Sequence, residues 1–371
     1  MSNPRDINVE HLLEREVVPL ETAEAQAVLQ GQVILVTGAA GSIGSELCRQ
    51  LLDYQPALLI ALDMNESGLF DLAEDLRARA HPHLASFYAY IGDITDVQRM
   101  ARLFAQRRPD IVFHAAAYKH VPLLEDYPDV AARTNVLATY ELCRLAQQHE
   151  VARFVFISTD KATAPVSVMG ASKRLGEMIV QSMAASRQCI THFCAVRFGN
   201  VLGSRGSVVP IFARQIEQGG PVTVTHPEAT RYFMTIPEAC GLVILTCAMA
   251  QQGGLYALNM GKPVEVLHLA EKMIHLCGLR VGGGGQDIAI VYTGLRPGER
   301  LHETLVAAHE ELRHTASSNI LSVTHHGNLP TLAVIEQWME TIEHSLDNHA
   351  QLRKHLFQFV QLVHRKELVV A

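Results

Sequence analysis

Six short apolar runs, separated by helical patterns, narrow the fold of this chain more than any other feature. Val33–Val36, Leu58–Leu62, Phe87–Ile91, Ile111–Ala115, Phe154–Ser158 and Phe193–Arg197 read as strands. Between them Ser42–Leu52, Glu66–Ala80, Asp96–Gln106 and Pro128–His149 read as helices; Ile43, Leu47 and Leu51 fall on one face of the first. Strands separated by helices pair in parallel through right-handed crossovers, which predicts an α/β fold with a doubly wound sheet.

After Arg197 the alternation breaks. Loop-rich stretches (Gly199–Ser207, Gly219–Thr230, Gly282–Gly285) alternate with helices over Val208–Gln218, Pro237–Gln251 and Val266–Cys277. The expected organisation is an N-terminal arm over 1–30 and a Rossmann domain over 31–198 plus 231–261. A smaller substrate lobe takes 199–230 plus 262–330, and a helical tail 331–371 carries Leu332–Leu346 and Leu352–His364.

A net charge of −7 argues against a nucleic-acid or membrane-surface binder that works through bulk charge, yet leaves room for a phosphate held by a few local cations. The longest apolar run, Gly241–Ala250, is half the ~20 residues that span a bilayer, and no basic-then-apolar leader opens the chain. Seven scattered cysteines form no Cys-x-x-Cys pair, and His81/His83 and His325/His326 lack matching ligand partners. The expectation is a cytoplasmic protein without a metal site.

Thr37-Gly38-Ala39-Ala40-Gly41-Ser42-Ile43-Gly44 follows the first strand and opens the first helix. Gly38, Gly41 and Gly44 allow a tight turn and close approach to a pyrophosphate. Ala40, Ser42 and Ile43 lie at the helix N-terminus, which favours its charge. Asp63 ends the second strand, where a carboxylate accepts from adenosine ribose hydroxyls and repels a 2′-phosphate, so NAD is expected over NADP. Asp93, with Ile94, is either an adenine contact or a helix cap. Ala115, Ala116 and Ala117 provide small residues where a cofactor crosses the sheet edge.

With these pieces in order the chain resembles an extended short-chain dehydrogenase/reductase. Phe113–Val121 (FHAAAYKHV), Ser158–Ala162 (STDKA), Val168–Arg174 (VMGASKR), Arg197–Pro210 (RFGNVLGSRGSVVP) and Leu295–Arg300 (LRPGER) are similar, in order, to the bacterial polysaccharide-biosynthesis nucleotide-sugar dehydratases. That group includes the UDP-N-acetylglucosamine 4,6-dehydratases. The likeness runs from about Gly31 to Leu305, and Arg5–Leu20 resembles the segment before the catalytic domain of longer, membrane-anchored members. Their transmembrane helices are missing from this sequence, which suggests a soluble short member or an excised catalytic portion.

The resemblance implies a tightly bound, recycled NAD, a UDP-sugar substrate and a homo-oligomer. The implied reaction oxidises C4, eliminates water across C5 and C6, and returns the hydride to C6. Asp160 is then the acid at the C6 hydroxyl, Lys161 the base at C5, and Thr159 a donor to the C4 oxygen. Lys173 lies four residues after Met169, on the same helix face. In the superfamily at large position 169 is a tyrosine that accepts the C4 hydroxyl proton. Methionine there is a variant of these dehydratases, and it leaves that proton to Asp160, Lys173 or an ordered water. Asn200, Arg205, Val209, Arg231, Arg296 and Glu299 are the candidates for the nucleotide half, with guanidinium forks suited to phosphate. Glu299 can instead hold an arginine. Lys119 and His120 either line the sugar pocket or brace their loop, and Asn135 reads as a buried polar residue that satisfies backbone. A 4-epimerase would want tyrosine at 169 and has no use for Asp160-Lys161. A sugar reductase would consume free nicotinamide cofactor. Met169 favours, and Asp160-Lys161 opposes, a catalytically silent binding subunit.

Overall fold

The computed structural model describes Leu12, Leu13 and residues 23–282, 287–325 and 327–362. Of the N-terminal arm expected over 1–30, the helix Ala23–Leu29 is described and buries Ala25 and Leu29 in the core, while residues 1–11 and 14–22 lie outside the described residues. So do His326, most of the Gly282–Gly285 run and the end of the second tail helix.

Nine strands make the main sheet: β1 (Val33–Thr37), β2 (Leu58–Asp63), β3 (Phe87–Ile91), β4 (Ile111–His114), β5 (Arg153–Ile157), β6 (His192–Arg197), β7 (Gly254–Leu258), β8 (Glu310–His314) and β9 (Ile320–His325). Their spatial order is β8-β9-β7-β6-β5-β4-β1-β2-β3. The first seven pair in parallel, and β8–β9 adds an antiparallel hairpin beside β7. Because helices cover both faces, the inner parallel strands β1, β2 and β4–β7 are largely apolar along their length rather than alternating. Leu35, Phe154 and Phe156 face one core; Ile34, Val36, Val155 and Ile157 face the other. Each fully buried Phe or Leu contributes about 1.5–3 kcal/mol. Strand order reverses between β1 and β4, which opens a crevice at their carboxyl ends.

Three features differ from the sequence expectation. The helix expected over Pro128–His149 is broken into Pro128–Ala131, a π-helical Ala132–Leu137 and Ala138–Gln148. Strand β7, expected only as part of the sheet domain's sequence, is a seventh parallel strand. The hairpin β8–β9 belongs to the main sheet, although 262–330 was expected to form the lobe. β8 reads EELRH and exposes four of its five residues, so it carries no apolar run to betray it.

The helix Val168–Ala184 is buried along its whole length. Ser167 caps it by accepting from the Gly170 amide at 3.1 Å. The tail helices Leu332–Ser345 and His349–Leu362 add Trp338, Met339, Leu352, Leu356 and Phe359 to the same core. Opposite the sheet's carboxyl edge, helices Val208–Glu217 and Val266–Leu276 pack with strands Val222–Val224 and Ile290–Tyr292 around Phe212, Val222, Leu269 and Met273.

Candidate active site

A cleft of about 890 Å³ separates the sheet's carboxyl edge from this lobe. At one end Gly38 has φ +71°, and a Cβ there would lie 2.6 Å from the Ala116 nitrogen, so only glycine lets the β1 turn touch the β4 exit. Gly41 caps the helix Ser42–Asp53 with no side-chain bond, and Gly41, Ser42, Ile43 and Gly44 line the cleft. A first turn of amides left without a side-chain cap suits a pyrophosphate. Asp63 accepts from the amides of Ala40 (Oδ2, 2.9 Å) and Asn65 (Oδ1, 2.9 Å). That fixes the carboxylate at the end of β2 and leaves lone pairs on both oxygens for a ribose. These residues fit the dinucleotide that the sequence suggests.

Ala115 and Ala117 also line the cleft, with Ala116 between them. Asp93 and Ile94 do not. Ile94 is core, and Asp93 accepts from the Thr95 amide at 2.8 Å, while the helix cap is Asp96, on the Arg99 amide.

Beneath the β4 exit runs a directional hydrogen-bond chain. Thr139 Oγ1 donates to the Asn135 carbonyl, so it accepts from His114 Nε2 at 2.9 Å. His114 Nδ1 is then the acceptor for Thr37 Oγ1 at 2.7 Å, and Thr37 accepts from the Ala116 amide. Burial depresses the His114 pKa to about 3, which keeps the ring neutral. The Asn135 side chain grips both backbone groups of Tyr118 (2.9 and 3.0 Å) and donates to Ser172 Oγ at 3.0 Å. Asn135 therefore braces the loop that presents Lys119 and His120 to the cleft. Burial lowers the pKa of both; for His120 the Lys119 and Arg296 charges add to the effect.

The β5 exit carries the central constellation. Thr159 accepts from the Lys161 amide, and its hydroxyl donates to Asp160 Oδ1 at 2.9 Å. Lys161 Nζ lies 3.0 Å from Asp160 Oδ1, 3.2 Å from Asn200 Oδ1 and 3.8 Å from Glu303 Oε1. Thr159, Lys161, Met169 and Lys173 line the cleft; Asp160 stands behind them. The helix bearing Met169 and Lys173 is held close by Gly170, where a Cβ would sit 2.3 Å from the Lys161 carbonyl oxygen. Lys173 Nζ lies 3.9 Å from the centre of the Phe156 ring. Burial brings its pKa down to about 7, against an opposing pull from Glu177.

Under that turn lies a buried ion cluster. Arg197 donates to Glu177 Oε1 and Oε2, both at 2.7 Å, and to Glu310 Oε2 and Oε1 at 2.7 and 3.0 Å. Arg174 adds a bond to Glu177 at 2.8 Å, and Ser158 Oγ donates to Glu177 at 2.6 Å. The Glu310 pKa is drawn down to about 2: burial works against this, but the bonds from Arg197 and the charges of Arg197 and Arg174 prevail.

For the nucleotide half, Asn200, Arg205, Arg231, Arg296 and Glu299 line the cleft, while Val209 is in the lobe core. The Arg205 amide reaches Ser42 Oγ at 3.2 Å and bridges lobe to glycine turn. Arg231 donates to the carbonyls of Thr230, Leu301 and Arg300 at 2.7–3.0 Å, so it ties strands while lending charge. Glu299 grips Arg296 at 2.6 Å, which leaves Arg205 the more available guanidinium. Glu303 was missed by the sequence reading. It lies three residues past the LRPGER motif, and its signal was that the likeness continues to Leu305.

The family model described as polysaccharide biosynthesis protein matches residues 34–325. The chain is 46% identical over 310 residues to the capsular polysaccharide biosynthesis protein CapD of Staphylococcus aureus, covering 84% of this chain and 51% of that protein. It is 46% identical to the probable polysaccharide biosynthesis protein EpsC of Bacillus subtilis, with 82% and 50% covered. The chain thus spans about half the length of these curated relatives. It is also 34% identical to a UDP-glucose 4-epimerase of Rickettsia akari, covering 75% of this chain and 79% of that one. Among solved structures, Pen from Bacillus thuringiensis superposes with a TM-score of 0.71 at 30% identity, over 82% and 90% of the two chains. DesIV, a dTDP-glucose 4,6-dehydratase of Streptomyces venezuelae solved with NAD, shares the fold, with a TM-score of 0.62 at 24% identity over 73% and 87%.

Proposed function

Because the chain belongs to the polysaccharide biosynthesis protein family, within the extended short-chain dehydrogenases/reductases, we propose that it is an NAD-dependent 4,6-dehydratase of UDP-N-acetylglucosamine. The observation that carries the proposal is that Thr159 and Lys161, with Asp160 bonded to both, line one cleft together with Met169 and Lys173. An amine beside a carboxyl is suited to moving protons at carbon and at a leaving hydroxyl, which an epimerase has no need to do.

The glycine turn, Asp63 and Ala115–Ala117 would hold NAD, which when bound takes the C4 hydride and gives it back at C6. Thr159 donates to the C4 oxygen once its hydroxyl turns away from Asp160 Oδ1. Lys161 removes the C5 proton once C4 is a ketone. Asp160 fixes the Lys161 amine at 3.0 Å and, by the family resemblance, supplies the acid. Arg205 and Arg231 set the positive field for the diphosphate. Since the cofactor ends the cycle as it began, turnover needs no added NAD.

The test is incubation with UDP-N-acetylglucosamine and mass analysis of the product. A product lighter by one water supports the proposal. The likeness to the Rickettsia epimerase supplies the second reading, and an isomer of unchanged mass would establish it instead.

A further inference from the structure

The helical tail lies beyond the residues that the family model matches, 34–325, yet one of its side chains reaches towards the site. Arg353, in the helix His349–Leu362, donates through Nη1 to Glu125 Oε2. The other oxygen, Glu125 Oε1, accepts from the Val168 amide at 2.6 Å. Val168 is the first residue of the helix that carries Met169 and Lys173, so its amide has no acceptor within that helix.

Glu125 itself sits in the short helix Val121–Asp126, which follows directly on Lys119 and His120. The Leu295–Arg300 turn presses on the same carboxylate: a Cβ on Gly298 would stand 3.1 Å from Glu125 Oε1 and 2.9 Å from the Ser167 Cβ. One side chain therefore joins four parts of the chain, three of which wall the cleft.

We propose that Glu125 is a positioning residue of the reaction, acting through the helix that bears Met169 and Lys173, and that Arg353 of the tail fixes Glu125 for that task. The consequence for turnover rests on the dehydratase reading; the grip on the helix does not. A carboxylate on a first-turn amide makes a charge-assisted bond and meets the positive end of the helix. Two contacts then bracket that turn. On one side Gly170 lies against the Lys161 carbonyl, where a Cβ would be 2.3 Å away; on the other Glu125 holds Val168. Without the second contact the turn can slide along the first, taking Met169 and Lys173 with it. A misplacement of ~1 Å can cost about 100-fold in rate. Arg353 is steadied in turn by the Phe357 ring, 4.9 Å from its guanidinium.

The test takes three readouts on the full chain. In Glu125→Ala, amide hydrogen exchange should quicken over residues 166–172 and stay as it was over 176–184. Reduction of the bound NAD on mixing with UDP-N-acetylglucosamine should slow at least ~10-fold, while UDP affinity by calorimetry stays within about threefold. A merely structural role would lower the melting temperature but leave the folded protein's rate within about threefold, and that result overturns the inference. Unchanged exchange overturns it too, as does a loss of UDP affinity as large as the loss of rate. If Glu125→Ala does not fold, Arg353→Ala decides, since that side chain is 43% exposed. It should slow NAD reduction at least ~3-fold and Arg353→Lys should restore most of the rate, whereas no slowing overturns the inference. An unaltered enzyme that neither reduces its NAD nor releases water refutes the dehydratase reading and with it the role in turnover. One that does both, with Glu125→Ala at full rate, refutes only the role of Glu125.

Discussion

Replacing Glu310 by Gln should cost about 3 kcal/mol of stability at neutral pH, and that cost should disappear in acid. The size follows from the Glu310 pKa of about 2 in the folded chain against 4.5 for an unperturbed glutamate. A difference of roughly 2.5 pH units at 1.36 kcal/mol each gives about 3 kcal/mol. It agrees in order with the ~3–5 kcal/mol lost when one partner of a buried pair is removed, here leaving Arg197 and Arg174 to share Glu177. Glu310 has its folded pKa depressed, so its contribution is complete above pH 4.5 and is lost as pH falls towards 2. The measurement is the free energy of urea unfolding for both proteins at pH 7 and through the acid range. The gap should be widest at pH 7 and close progressively below pH 4.5. A gap under ~1 kcal/mol at pH 7, or one that does not change with pH, would refute the reasoning.

Gly170→Ala places a methyl 2.3 Å from the Lys161 carbonyl, so the helix must retreat from the turn. The expected cost is about 1–3 kcal/mol in thermal stability, with a loss of turnover greater than any loss of UDP affinity. Lys161→Ala should abolish water loss while the purified protein still carries NAD; full activity would remove Lys161 from the chemistry. Asp63→Ala removes both the ribose acceptor and the bond to the Ala40 amide, so NAD affinity measured by calorimetry should fall at least ~10-fold, while an unchanged affinity would place the ribose elsewhere.

The parallel sheet was legible because strands buried on both faces, such as Phe154–Ile157, write themselves as continuous apolar runs. The glycine turn, Asp63, Lys161 and Lys173 were legible because motifs fix them at strand ends and on one helix face. The hairpin was not, since β8 packs through charged Glu310 rather than through an apolar face. The Arg197–Glu177–Glu310 cluster escaped for a related reason: its members sit in three separate elements, and nothing in sequence says which charges meet. The π-helical Ala132–Leu137 shows no break in its apolar spacing, though it places Asn135 against Tyr118. Glu303 followed a recognised motif, but its neighbour Lys161 lies well over a hundred residues earlier.

That separation has a consequence for synthesis. Arg197 meets Glu310 across 113 residues of chain. At ~5–20 residues per second, the ribosome needs about 6–23 s to deliver the second carboxylate after the arginine has been made. Throughout that interval two buried cations have one glutamate between them, beneath the turn that carries Lys161. The parallel sheet can assemble early, but the floor beneath the Thr159–Lys161 turn closes only when the final hairpin emerges. A nascent chain stalled before residue 310 should therefore hold its first six strands while lacking a finished site.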